Sequence, residues 1–186
     1  MRRGRNAYCL KQMTHADSMT RCRCNASDTI GETMTSMDIQ PAKAGEHEWA
    51  AALMAGSEPW ITLGRGLDAC RERCSDPEYQ LCIAHLDGRP CGFILLHPHG
   101  VAGSPYVASI AVAESFRSQG VGARMLDYAE DLFRSKARYI FLCVSSFNSR
   151  ARELYERLGY STVGELVDYV VDGASEYLMS KHLRQP

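Results

Sequence analysis

The segment Arg117-Ser118-Gln119-Gly120-Val121-Gly122 has the residue types and spacing to hold an anion. Two glycines two residues apart let a backbone come close to a ligand and turn its N–H groups outward. A helix is expected to start at Val121, and its positive end would add to the same field. A pyrophosphate is the natural guest of such a cradle. The same turn also suits a strand-to-helix connection that needs glycine for conformation alone. On these six residues, both readings stand.

The elements that must position this turn can be read from periodicity. Before it, Tyr106 to Val112 is apolar enough to be a central strand. After it, Val121, Met125, Leu126, Ala129, Leu132 and Phe133 share one face of a helix expected over Val121 to Lys136. Tyr139 to Val144 follows as a buried strand, and Ser149 to Leu158 as a helix closed by Gly159. Upstream, Asp38 to Pro41 is a short strand, and Glu46 to Ala55 and Leu67 to Cys74 are helices. Tyr79 to Leu86 and Cys91 to His97 form a hairpin around Asp87-Gly88. Pro98 to Ser104 reads as a loop. Tyr160 to Val171 and Glu176 to Leu183 are final strands joined at Asp172-Gly173. The order predicts a mixed α/β layout with an antiparallel first half and two parallel strands at its centre.

Composition bounds the answer. A chain of 186 residues, 45% apolar and 23% charged, suits one globular domain of ordinary size. Net charge is −1, divided as +3 over residues 1–36 and −4 over the rest. A body of that sign does not resemble a nucleic-acid binder. No window approaches the roughly 18 apolar residues of a membrane span. The N-terminus lacks the apolar core of a signal peptide, so a cytoplasmic protein with reduced thiols is expected. Residues 1–36 lack apolar periodicity and read as a disordered tail or a mis-annotated start, with residues 37–186 as the folded domain. Cys22 and Cys24 with Cys9 and His15 fit no standard zinc spacing, and no metal is expected. Cys70 and Cys74, one helical turn apart, are expected to pack.

Arg117-x-x-Gly120-x-Gly122, after a strand ending Ser109-Ile110-Ala111-Val112, resembles the acetyl-CoA signature of the GNAT (GCN5-related N-acetyltransferase) superfamily. Asn148-Ser149-Arg150-Ala151-Arg152-Glu153-Leu154-Tyr155, continuing to Gly159-Tyr160, is similar to that family's Asn-x-x-Ala-x-x-Leu-Tyr segment. The style is closest to N-terminal acetyltransferases of the ribosomal-protein type. The resemblance covers roughly residues 37–183. It implies the GNAT acyl-CoA N-acyltransferase fold, a central mixed sheet flanked by helices, and an enzyme moving acetyl from acetyl-CoA to a primary amine by direct attack in a ternary complex.

Residue roles follow from the resemblance. Arg117, Ser118, Gln119, Gly120, Val121 and Gly122 would hold the pyrophosphate. Ile110, Ala111 and Val112 would border a bulged strand end where the pantetheine pairs with backbone, and an N–H there would polarise the thioester carbonyl. Asn148, with Ala151, would meet the pantetheine, although Asn is also a common helix cap. Tyr155 would protonate the leaving thiolate, or simply pack beside Leu154 and Leu158. For the general base, Glu58, Glu114, His97, His99 and Tyr169 are all candidates, Glu58 being the preferred one. Trp60 would wall the acceptor pocket or pack. A covalent route through Cys143 is disfavoured, because an apolar environment keeps a thiol inert.

The acceptor stays open among a protein N-terminus, a lysine and a small-molecule amine. A homodimer through the final strands is compatible with the pattern. A non-catalytic acyl-CoA sensor is the alternative.

Overall fold

The structure is a computed structural model that describes residues 36–183. The tail expected over residues 1–36, save Ser36, and the Cys9–Cys24 cluster lie outside the described residues. Seven strands form one sheet: β1 (Met37–Pro41), β2 (Gln80–Leu86), β3 (Arg89–Val101), β4 (Ser104–Val112), β5 (Tyr139–Ser145), β6 (Ser161–Val167) and β7 (Ser175–His182). Among the described residues four α-helices accompany them: α1 (Glu46–Ala55), α2 (Leu67–Ser75), α3 (Val121–Phe133) and α4 (Ser149–Arg157). The strand order is β1-β2-β3-β4-β5-β7-β6. Every neighbouring pair is antiparallel except β4 and β5, so the antiparallel first half and central parallel pair are as expected.

The sheet has a core on each face. On one, α3 presses Val121, Met125, Leu126, Ala129 and Phe133 against Ile94, Leu96, Val107 and Leu142. Each such large apolar side chain contributes about 1.5–3 kcal/mol on full burial. Lys181 of β7 reaches Glu130 of α3 at 2.6 Å, so the helix is also tied to the far half of the sheet. On the other face, Ala50, Ala51 and Met54 of α1 and Cys70 and Cys74 of α2 pack on Ile83, Phe93 and Leu95. The two thiols therefore pack as expected, and burial pushes Cys74 up to about 11.

Several boundaries differ from expectation. The loop expected over Pro98 to Ser104 is the outer part of a long hairpin. Strand β3 continues to Val101, and Ala102 and Gly103 turn the chain with φ of 49° and 78°. Pro98 is tolerated there because the β3–β4 register breaks between His97 and Val101 and requires no ladder donor from it. Helix α3 ends at Phe133 rather than Lys136. Strand β6 stops at Val167, where Asp168 takes φ of 50° and accepts the Gly173 N–H at 2.7 Å.

Gly92 sits where β3, β4 and α3 converge. An added Cβ would lie 2.9 Å from the Ala111 carbonyl oxygen and 3.0 Å from Met125 Cε. Gly92→Ala is expected to destabilise the fold by about 1–3 kcal/mol through overpacking, read as a lower midpoint in chemical denaturation. An unchanged midpoint would contradict this packing.

Candidate active site

The site begins with a failure of strand pairing. β4 and β5 match only at Tyr106–Phe141 and Val107–Leu142. Against β3, the register passes from Leu96–Val107 to Leu95–Ser109, leaving Ala108 as an extra residue. Such a bulge bends a strand and increases its twist. Val107 and Ile110 consequently face α3, whereas Ala108 and Ala111 face α1 and α2. The bulge expected at Ile110–Val112 thus lies earlier, at Ala108, and the strands part from there.

A cavity of about 940 Å³ occupies the gap and is lined from both faces of the sheet. Asn148, Ala151 and Tyr155 line it from the α4 side; Trp60, Arg73 and Tyr79 line it on the side of α1 and α2. Between them run Ala108 to Ile110 of β4 and Cys143 to Ser145 of β5. The cavity is therefore a slot through the sheet.

The glycine turn lies against α4, whose Ala151 and Tyr155 line this slot. Ser118 and Gly120 have φ of 64° and 79°, which aims successive backbone N–H groups to one side. None of the N–H groups from Ser118 to Ala123 donates to an acceptor among the described residues. This is the open donor array that a helix N-terminus offers an anion. A Cβ on Gly122 would meet Leu154 at 3.6 Å and Val112 at 3.8 Å, so the turn lies between β4 and α4. Arg150 Nη2 donates to Ser118 Oγ at 2.8 Å, a tether from α4 that the sequence reading did not single out. Arg117 Nε donates to the Val112 carbonyl at 3.1 Å, and Gln119 Nε2 to that of Ser115 at 3.0 Å.

Asn148 caps α4, with Oδ1 accepting the Ala151 N–H at 3.3 Å, while also lining the slot. Tyr155 is 6% exposed, and burial pushes its phenol up to about 12. Its hydroxyl has no partner among the described residues, yet is not sealed, so it opens on the slot. Trp60 both packs on Phe93, with ring centroids 6.2 Å apart, and lines the slot.

Of the candidate bases, Glu58, His97 and Tyr169 line the cavity, while Glu114 and His99 do not. Glu58 is exposed, and its Oε2 accepts the Thr62 N–H at 3.3 Å. Ile110 lines the slot, whereas Ala111 and Val112 do not. A residue the sequence reading missed is Glu176, a buried carboxylate that lines the slot from β7.

Residues 46–160 match the Acetyltransferase (GNAT) family, and the chain belongs to it. It is accordingly an N-acetyltransferase. It is 30% identical over 124 residues to an N-alpha-acetyltransferase of Sulfurisphaera tokodaii, a match covering 60% of this chain and 74% of that one. Matches to three further relatives span 48% to 67% of their lengths. The fold resembles an aminoglycoside 6'-N-acetyltransferase complexed with coenzyme A (TM-score 0.67, 19% identity, 80% of this chain and 98% of that one). It also resembles the ribosomal-protein-S18-alanine N-acetyltransferase from Escherichia coli (TM-score 0.64, 17% identity, 81% and 96%). No helix among the described residues is long and apolar enough to cross a membrane.

The two glycines of the turn should respond differently to alanine. Gly120 holds a left-handed φ with nothing within 4 Å of its missing Cβ, so its cost is conformational. Gly120→Ala is expected to lose about 1–2 kcal/mol in denaturation. Gly122→Ala, with only ordinary contacts to make, is expected to stay near the parent. Equal effects would contradict the turn geometry.

Proposed function

We propose that this enzyme transfers the acetyl group of acetyl-CoA to the α-amine of a protein or peptide, by direct attack in a ternary complex. The cavity carries the reading: residues from both faces of the sheet line one space beside the parted strands β4 and β5, where a donor and an acceptor could meet. The name of the S. tokodaii relative supports an α-amine as acceptor.

The residues fit a CoA-type donor. The unpartnered N–H groups from Ser118 to Ala123 would take the pyrophosphate, with Arg150 and Arg117 adjacent. Beyond Val107, the β5-facing backbone of β4 lacks a ladder partner and would pair with the pantetheine amides, as an added strand does. Bound acetyl-CoA supplies an acyl carbon activated as a thioester. An N–H of the parted strand near Ala111 or Val112 would stabilise charge growing on the acyl oxygen.

Tyr155 acts as the acid. A phenol held neutral to about pH 12 keeps its proton at physiological pH and can pass it to a departing thiolate. Burial, the largest influence, raises the Cys143 thiol and leaves it a poor nucleophile, which favours direct attack.

The test is thiol release with a panel of N-terminal peptides and small amines, beside calorimetry with acetyl-CoA. Tyr155→Phe is expected to cut turnover about 100-fold, near the low end for acid catalysis because a thiolate leaves readily, with acetyl-CoA affinity little changed. Undiminished turnover would remove Tyr155 as the acid. A folded wild type that bound no acetyl-CoA would remove the reading itself.

A further inference from the structure

Glu176, the second residue of β7, is 8% exposed and lies on the side of the slot lined from α1 and α2. It stands opposite Ser145 in the β5–β7 ladder, and the Ser145 hydroxyl donates to Glu176 Oε1. Oε2 has no partner among the described residues, nor is it sealed from solvent. The remaining surface of this buried carboxylate therefore faces the cavity.

A carboxylate held this way favours a cation. Removing a charge from water is costly unless an opposite charge compensates it. Arg65 and Arg73 line the same cavity, but neither pairs with Glu176 among the described residues, and Arg73 lies 4.1 Å over the Tyr79 ring. Cys143 and Tyr106 offer neutral walls: burial raises both groups, and the Glu176 charge adds to the effect. Glu58, by comparison, is exposed and already accepts a backbone N–H.

We infer that Glu176 receives the acceptor's ammonium group and takes its proton, with Oε2 as the accepting atom and Ser145 fixing Oε1. This rests on the acetyl transfer proposed for the same cavity. One N–H bond of the ammonium breaks, its electron pair stays on nitrogen as the nucleophilic lone pair, and the proton forms an O–H bond on Glu176. Nitrogen then bonds the acyl carbon as the carbon–sulfur bond breaks. The sulfur takes a proton from Tyr155; the second proton that nitrogen sheds as the amide forms goes to water in the slot, and water there returns a proton to the Tyr155 phenolate. Glu176 returns its proton to solvent through the slot.

The chemistry separates acceptors by charge. An α-amine peptide arrives as an ammonium ion and needs the base; benzhydrazide arrives neutral and does not. Both would be assayed by thiol release, using every panel peptide that the wild type accepts. Glu176→Gln is expected to lower kcat/KM for peptides about 100-fold or more, the usual scale of base catalysis, while benzhydrazide changes less than about threefold. Acetyl-CoA affinity should stay within about twofold. Glu176→Asp should recover part of the peptide rate. Equal losses with both amines would indicate a structural role and overturn the inference, as would no loss with peptides or an Asp variant no better than Gln. If the wild type releases no thiol with any amine, the proposed function fails first, a result distinct from release that ignores residue 176.

Discussion

The central constraint is the unfinished pairing between β4 and β5. A buried backbone N–H or carbonyl needs a partner. Two matched positions hold the strands together, and the bulge at Ala108 then carries them apart. The opening persists because the surrounding structure holds the strands firmly. β4 is clamped to β3 along most of its length, β5 is paired to β7 at seven positions, and α3 covers the seam. A sheet stable on both sides of its gap can leave backbone available for a ligand.

The functional groups are placed by that opening rather than by proximity in sequence. The turn from Ser118 to Gly122 continues from the freed end of β4, and Arg150 ties it to the helix that carries Tyr155. Donor cradle and proposed acid are thus linked through α4. Glu176 and Cys143 face the other side of the same sheet from Tyr155. With Tyr155 as the proposed acid and Glu176 as the proposed base, the two carriers of protons would act from opposite faces of one slot.

Much of this was legible in the sequence because it is local. The helix at Glu46–Ala55, the Asp87-Gly88 turn and the glycine turn before α3 each declare themselves within a few residues. The Ala102-Gly103 turn did not, since alanine is a weak signal for a positive φ, and Pro98 suggested a loop although the broken register excuses its missing donor. The bulge at Ala108 is a matter of register with β3, and no residue type marks it. Glu176 was overlooked for a similar reason. Its meaning depends on standing opposite Ser145, and that follows from β7 inserting between β5 and β6. A glutamate beside the run Tyr177-Leu178-Met179 was the available hint.

The most direct measurement is a crystal structure of the protein grown with CoA. The pyrophosphate is expected on the N–H groups from Ser118 to Ala123, the pantetheine between β4 and β5, and the sulfur beside the Tyr155 hydroxyl. A CoA bound elsewhere, with the slot between β4 and β5 empty, would contradict it.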